Sequence, residues 1–176
     1  MKKIILTLVV LTCVANSTYS QKWENYFQFG VGTGYLMDAD MNDTPFLTLE
    51  YGKTYKWFDL AGAIEYAPEY NKYTCETKRF ISLVVKTKFD IVRMFTENSH
   101  HSFKLGTGIG VGSSNFTHWR HNDDVQLSAN YFLNSVMASY EYKIVDKTWL
   151  GLFFNNYTED NFFGLHYLGL SIRHNF

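Results

Sequence analysis

Apolar residues alternate with small or polar residues along nearly all of the chain after about residue 20. A period of two places successive side chains on opposite faces of a β-strand, whereas a helix repeats near 3.6 residues. The pattern therefore predicts strands. Eight are predicted, and they run over Phe27–Met37, Phe46–Gly52, Trp57–Ala67, Phe80–Asp90, Phe103–Gly112, Leu127–Tyr142, Trp149–Asn156 and Phe162–Phe176.

One face of the predicted strands carries glycines and charges. Glycine rows occur on the first and fifth strands, at Gly30, Gly32 and Gly34 and at Gly106, Gly108, Gly110 and Gly112. A solvated face has no reason to lose side chains at alternate positions, whereas the crowded interior of an eight-stranded barrel does. The charges on this face are Glu50, Asp59, Glu65, Lys86, Lys88, Lys104, Glu141 and Arg173. Because buried charges persist only when paired, four acids and four bases predict a paired network that plugs a barrel interior.

Longer polar connections alternate with shorter ones along the chain. The longer set is Asp38–Thr44, Pro68–Arg79, Ser113–Gln126 and Tyr157–Asn161, and the shorter set is Lys53–Lys56 and Lys143–Thr148. The exception is Ile91–Ser102. In it we expect Ile91–Phe95 to form an amphipathic turn at the inner of the two membrane–water interfaces. Outer-membrane barrels have short periplasmic turns and longer external loops. The pattern therefore predicts that the amino and carboxyl ends of the mature chain are both periplasmic.

Residues 1–20 have the features of a secretory signal peptide, with Lys2 and Lys3, an apolar run over Ile4–Val14 and small or polar residues up to Ser20. Cleavage there leaves 21–176 as one barrel domain. The chain has 176 residues, 46% of them hydrophobic and 18% aromatic, and its mean hydropathy is -0.20. These values exclude a disordered chain and a bundle of transmembrane helices. The formal charge of -1 gives no basic excess, so no nucleic-acid partner is expected.

Aromatic residues lie near the ends of many predicted strands. Amphipathic rings favour the headgroup zone of a membrane, so these positions predict an aromatic belt at each interface. Its predicted members are Tyr35, Tyr51, Trp57, Tyr66, Tyr140, Tyr142, Trp149, Tyr157 and Phe176.

The carboxyl-terminal segment Leu168–Phe176 alternates apolar and polar residues and ends on an aromatic residue. It resembles the terminal strand of outer-membrane β-barrel proteins, although His174 departs from the usual aromatic or apolar choice. Together with the leader and the eight strands, the mature chain is similar to the small OmpX, OmpA-transmembrane and OmpW-like group. The resemblance implies an all-β, eight-stranded antiparallel up-and-down transmembrane barrel in the outer membrane. It also implies that the barrel-assembly machinery reads Leu168, Leu170, Ile172 and Phe176 as an insertion signal.

Two segments contain residue types that bind metal ions. His118 and His121 precede two aspartates, but ligands on a surface loop are not preorganised. Asp38–Asn42 begins like a calcium loop, yet Asp43 stands where glycine is required and Leu49 where a bidentate Glu is required. We therefore predict no metal site and no cofactor.

Some eight-stranded barrels are lipid A deacylases or palmitoyltransferases, and the deacylases present a His-x-Ser pair on the lipid-facing wall. Here His166 is followed two residues later by Leu168, and Ser171 is five residues away and so on the opposite face. The sequence therefore predicts no catalytic residues.

These features favour a non-catalytic outer-membrane barrel with a structural or interaction role through its external loops. The residues predicted to interact are Asp38, Asp40, Asp43, His118, Trp119, Arg120 and His121. Expected partners are outer-membrane lipid and lipopolysaccharide, the barrel-assembly machinery, and an extracellular or membrane protein that the sequence does not identify. Three alternatives stay open: a lipid A modifying enzyme, a narrow gated pore, and a soluble secreted lipocalin-like barrel that binds a small apolar ligand.

Overall fold

The computed structural model describes residues 23–36, 44–71, 76–96, 99–120, 123–159 and 164–176. They form eight strands and one short helix, which are β1 (Glu24–Leu36), β2 (Thr44–Tyr55), β3 (Phe58–Asn71), β4 (Glu76–Asp90), α1 (Ile91–Phe95), β5 (His101–Arg120), β6 (Asp123–Val145), β7 (Thr148–Glu159) and β8 (Gly164–Asn175). The helix is too short to cross a membrane, and no longer apolar helix occurs among the described residues. The predicted signal peptide lies outside them.

The strands form a closed barrel in sequence order. Each strand pairs antiparallel with the next, and β1 also pairs antiparallel with β8. This closing ladder runs from the pair Tyr26–Asn175 to the pair Leu36–Leu165. Closure leaves no unpaired sheet edge in the barrel wall, since both terminal strands are hydrogen-bonded to each other. The predicted eight-stranded up-and-down antiparallel barrel is confirmed.

The two ends of the barrel differ. The turn end carries the two-residue turns Lys56–Trp57 and Asp146–Lys147, helix α1, and the residues Trp23 and Phe176. Lys56 and Lys147 have φ angles of 47° and 64°, which is the left-handed conformation that such tight hairpin turns require. The loop end is the opposite end, at which β1, β3, β5 and β7 finish.

Helix α1 forms where the sequence predicts an amphipathic turn. The Asp90 carboxylate caps it by accepting a hydrogen bond from the Arg93 backbone N–H at 3.1 Å. The Ser102 hydroxyl donates to the same carboxylate at 2.6 Å. Met94 and Phe95 are exposed. The turn end therefore presents apolar side chains beyond the last ladder pairs.

The predicted connections Pro68–Arg79 and Ser113–Gln126 are too long, whereas Asp38–Thr44 lies almost wholly outside the described residues. Strands β3 and β4 continue to the pair Asn71–Glu76, and β5 and β6 continue to the pair Arg120–Asp123. Most of the predicted loop Ser113–Gln126 is therefore paired strand, and its first residues up to Thr117 pair with β4 as well as with β6. A ladder is held by backbone hydrogen bonds and tolerates polar side chains on both faces, so the apolar period ends before the strands do.

The barrel interior is apolar near the loop end. Its buried cluster consists of Phe46, Ala67, Val84, Leu133, Phe153, Tyr157 and Tyr167. Phe46 and Tyr167 stack with ring centroids 3.9 Å apart. The glycine rows make room for these rings, because a Cβ on Gly34 would lie 2.2 Å from the Tyr167 ring. Glycines on one strand thus provide the volume that aromatic rings of another strand occupy.

The outer wall is apolar on every strand. One exposed member from each strand, in order, is Phe29, Leu49, Ile64, Leu83, Ile109, Val136, Leu152 and Leu170. Two rings predicted for the outer belt, Trp149 and Tyr157, are instead buried in the interior. Strand β7 carries apolar residues on both faces, so alternation could not identify which face is inside.

We expect Gly32→Ala to lower the free energy of unfolding by about 1–3 kcal/mol, the usual cost of overpacking. A Cβ at Gly32 would lie 2.3 Å from the Leu168 carbonyl oxygen on β8, and backbone atoms of the closing ladder cannot move aside. The matched control is Gly62→Ala, since nothing lies within 4 Å of a Cβ there. Urea unfolding in lipid vesicles, followed by tryptophan fluorescence, measures both. Equal stability of the two variants would contradict this packing of β1 on β8.

Candidate functional site

The eight charged residues predicted for the interior all lie inside the barrel. Each is 5% exposed or less. They form two groups, each with two acids and two bases. The Asp59 cluster is Asp59, Lys104, Glu141 and Arg173, and the Glu50 cluster is Glu50, Glu65, Lys86 and Lys88.

The Asp59 cluster lies nearer the turn end. Arg173 Nη1 is 2.6 Å from Asp59 Oδ2. Lys104 Nζ lies between two carboxylates, 2.8 Å from Asp59 Oδ2 and 2.8 Å from Glu141 Oε2. The Thr54 hydroxyl donates to Asp59 Oδ1 at 2.5 Å. One aspartate on β3 therefore joins side chains from β2, β5 and β8.

The Glu50 cluster lies farther from the turn end than the Asp59 cluster. Lys86 Nζ is 2.6 Å from Glu65 Oε1 and 3.5 Å from Glu50 Oε2, and Lys88 Nζ pairs with the other Glu50 oxygen. The Tyr157 hydroxyl donates to Glu65 at 2.5 Å. This hydrogen bond joins the cluster to the apolar rings above it.

Tyr26 connects the two clusters. Its hydroxyl donates to Glu50 Oε1 at 2.6 Å. Its ring lies under the Arg173 guanidinium, whose Cζ is 3.7 Å from the ring centroid. A guanidinium over an aromatic face is attracted by the electron-rich ring, and the attraction is larger when water is excluded. A single tyrosine thus contacts an acid of one cluster and the arginine of the other.

The network crosses the interior instead of following the wall. Its charged members come from β2, β3, β4, β5, β6 and β8. A cavity of about 20 Å³ remains beside Glu50, with Thr48 and Ser139 in its lining, which is room for about one water molecule. The Thr48 and Ser139 hydroxyls have no hydrogen-bond partner among the described residues. Chemically, the arrangement can neutralise buried charge and tie opposite walls together.

The residues predicted as an assembly signal lie on the outer wall, three of them on β8 and Phe176 directly after it. Leu168, Leu170, Ile172 and Phe176 are between 47% and 59% exposed. The Phe176 ring is 6.3 Å from the ring of Tyr51 on β2, and its backbone N–H donates to the Asn25 carbonyl at 2.9 Å. The last residue is therefore packed against the first two strands.

The residues predicted to interact through loops are only partly described. Asp38, Asp40, Asp43 and His121 lie outside the described residues. The backbones of His118, Trp119 and Arg120 belong to the end of β5 and pair with Val125, Asp124 and Asp123 of β6. Within the described ranges, no three histidines, cysteines or acids come together as metal ligands.

His166 and Ser171 lie on opposite faces of β8, as the alternation predicts. The Ser171 hydroxyl points inside and accepts a hydrogen bond from Gln28 at 2.9 Å. His166 is half-buried on the outer wall, with its ring 6.2 Å from the ring of Phe154. The two side chains are therefore separated by the barrel wall.

Sequence reasoning missed the aromatic and amide partners of the charges. Tyr26 and Gln28 have the same parity as the glycine row on β1, so strict alternation could have placed them inside. Tyr157 was predicted for the outer belt. No sequence signal identifies which glutamate a buried tyrosine contacts, because that depends on the tilt and register of distant strands.

An exposed ion pair at the turn end contrasts with the buried network. Lys143 Nζ is 3.0 Å from Asp146 Oδ1 in the turn between β6 and β7. The hydrogen bond from Lys143 and its positive charge lower the pKa of the Asp146 carboxyl below its ordinary value. Solvent screens this pair, so it contributes little to stability.

No protein family model matches the chain, and no curated protein sequence does so either. Solved structures do match. Neisserial surface protein A is 11% identical with a TM-score of 0.67, over 88% of this chain and 97% of its own. The attachment invasion locus protein Ail of Yersinia pestis is 10% identical with a TM-score of 0.60, over 89% and 99%. The outer-membrane enzyme PagL is 14% identical with a TM-score of 0.51, over 84% and 98%.

The fold is that of the small eight-stranded outer-membrane barrels. At these identities the likeness shows the fold alone. Because PagL is an enzyme, the fold by itself does not decide whether a barrel is catalytic.

We expect Asp59→Asn to lower the free energy of unfolding by about 3–5 kcal/mol, because it removes one partner from a buried charge cluster. Lys104 and Arg173 would then share only Glu141. The matched control is Asp146→Asn, which removes an acid from the exposed pair with Lys143 and should leave stability unchanged. Urea unfolding in vesicles measures both variants. An Asp59→Asn barrel as stable as the wild type would show that the cluster does not hold the strands together.

Proposed function

We propose that the chain is an integral outer-membrane barrel without catalytic activity, closed inside, that acts as a structural or interaction protein through its loop end. The observation that carries the proposal is the distribution of polarity. The exposed wall is apolar on all eight strands, whereas the eight charged side chains of the Asp59 and Glu50 clusters are buried in the interior.

A membrane location follows from that distribution. Soluble monomers rarely expose contiguous apolar patches larger than a few hundred Å². A closed barrel satisfies its backbone hydrogen bonds internally, as hydrocarbon requires. The shortest strands have 12 residues, more than the 9 to 11 that cross a bilayer. A lipocalin-like barrel would instead need an apolar ligand cavity at the centre, where this barrel has ion pairs.

The turn end is proposed to face the periplasm. Outer-membrane barrels have short turns on that side, and the connections Lys56–Trp57 and Asp146–Lys147 have two residues each. The partners there are the barrel-assembly machinery, which would read Leu168, Leu170, Ile172 and Phe176, and membrane lipid. Lipopolysaccharide would surround the opposite end.

The interior is proposed to be a structural plug. An eight-stranded barrel leaves just enough interior for side chains to fill. Here the two charge clusters cross it, and the stacked rings of Phe46 and Tyr167 lie beyond them toward the loop end. The separation of His166 from Ser171 by the barrel wall supports the absence of acyl-transfer chemistry at this histidine.

The interaction role is assigned to the β5–β6 hairpin. Pairing between β6 and β7 begins only at Leu133–Glu159. Residues Asp123–Phe132 of β6 therefore pair with β5 alone in the described chain, and they extend about 30 Å along the strand. An unpaired strand edge can bind another chain by strand addition. The predicted residues Asp38, Asp40, Asp43, His118, Trp119, Arg120 and His121 belong to or adjoin this end.

The membrane and plug assignments make a joint prediction. Protein from a washed outer-membrane fraction should change its gel mobility on boiling, because a closed barrel resists detergent until heated. The same protein in planar bilayers should give no stable conductance steps, with boiled protein as the control. Release into the soluble fraction would contradict the membrane assignment, and a reproducible conductance would contradict the plug.

The hairpin assignment predicts site-specific protein contacts on intact cells. A photoreactive residue at Asn130, which is exposed on the segment of β6 that pairs with β5 alone in the described chain, should give protein adducts in the cells that express the chain. The control is the same residue at Lys147, at the turn end, which should give no adduct with extracellular proteins. No adduct from Asn130, or the same adducts from both positions, would contradict the assignment.

A further inference from the structure

The lipid-facing wall has a gap at Gly62. Leu60 and Ile64, the outward residues on either side of it along β3, are large and exposed. A Cβ added at Gly62 would meet nothing within 4 Å. Gly62 pairs with Tyr51 on β2 and with Val85 on β4, so large side chains flank it on both neighbouring strands. The position is an open notch among these large side chains.

The notch is part of a groove of about 450 Å³ on the outer wall. Its lining includes Trp23, Tyr51, Lys53, Leu60, Gly62 and Val85. The apolar part lies toward the middle of the wall, and Lys53 and Trp23 lie toward the turn end. The groove therefore changes from apolar to cationic along the strand direction.

Aromatic rings fix the cationic end of the groove. The Trp23 ring packs 5.4 Å from the Tyr55 ring and 6.4 Å from the Phe58 ring. Tryptophan and tyrosine at such positions favour the membrane–water interface. The rings hold Trp23, which precedes β1, against the hairpin of β2 and β3.

Two lysines beside the groove carry uncompensated charge. Lys53 and Lys56 are exposed, and neither forms an ion pair in the part of the chain that the structure describes. By contrast, Lys143 at the same end is paired with Asp146. A long lysine side chain can extend along an apolar wall and keep its ammonium at the headgroup level. The groove thus ends at a free cation.

We propose that this groove binds one anionic glycerophospholipid of the periplasmic leaflet, with an acyl chain in the notch at Gly62 and the phosphate at Lys53. The inference rests on the proposed membrane location and orientation. An amphiphile with an apolar tail and an anionic head matches the groove, which is apolar at one end and cationic at the other. Lys56 adds a second positive charge on the side from which the headgroup approaches.

The test is native mass spectrometry of the wild-type barrel released from vesicles of phosphatidylethanolamine with a minority of phosphatidylglycerol. We expect one retained phosphatidylglycerol per barrel, above its share of the vesicle lipid. Lys53→Gln should reduce retention about tenfold, which corresponds to about 1.4 kcal/mol, because it removes the charged donor to the phosphate. Gly62→Leu should reduce it similarly by filling the notch.

Matched controls exist on the opposite side of the barrel. Lys147→Gln removes an exposed turn-end lysine, and Ala138→Leu enlarges an outward residue of β6; both should retain the lipid as the wild type does. Equal retention by all variants, or no preference for phosphatidylglycerol, would overturn the inference. A wild-type dimer that Gly62→Leu abolishes would assign the groove to a second copy and also overturn it.

The gel-mobility shift on boiling separates this inference from the proposed function. Barrels that shift normally but retain no lipid leave the membrane barrel standing and remove the lipid site. A wild-type chain that neither inserts nor shifts removes both. Lys53→Gln changes no packed side chain, so it remains informative even if Gly62→Leu fails to insert.

Discussion

Closure of β1 on β8 is the constraint on which the rest of the structure depends. Across this ladder Gly32 faces Gly169, and a Cβ on either would lie 2.3 Å from a carbonyl oxygen of the other strand. The two backbones can approach only because both positions lack side chains. An interior closed by eight strands is just wide enough for side chains to fill, so each inward side chain has to fit against its neighbours. The glycine row on β5 has the same effect beside Val84 and Lys88.

The charged interior is better explained by its effect on which strand registers can form than by its contribution to the free energy of unfolding. Taking ions out of water costs several kcal/mol each, and a well-packed apolar core of the same volume is often equally stable. What the ion pairs add is specificity, since a shift of one residue in any of the six strands that carry these charges would move a charge to the outer side of the wall. The carboxylates of Asp59 and Glu50 each form ion pairs with lysine or arginine and also accept a hydrogen bond from a hydroxyl. A single misplaced strand therefore leaves several groups unpaired. The network therefore penalises wrong registers more than it rewards the correct one.

Much of the fold could be predicted from the sequence because a barrel wall with an apolar outer face imposes a period of two. The glycine rows indicated which face was inside, and that parity carried the eight charged residues to their positions. The apolar period ends before the strands do, which is why Pro68–Asn71 and Ser113–Arg120 were predicted as loops. It fails again on β7, where Trp149 and Leu150 are equally apolar. The notch at Gly62 was not predictable, because a lone glycine on an outward face has meaning only beside Tyr51 and Val85.

The two halves of the interior are stabilised by different interactions. Ion pairs connect the strands toward the turn end, and stacked aromatic rings connect them toward the loop end. On heating, the desolvation penalty of ion pairs falls, whereas apolar burial gains little further strength. Stability is therefore expected to be graded along the barrel axis, with backbone amides near Glu141 and Arg173 exchanging more slowly than those near Phe46 and Tyr167. A barrel of this kind would open from its loop end while its turn end stays closed. Local opening would then loosen the extended β5–β6 hairpin without opening the charged half of the barrel.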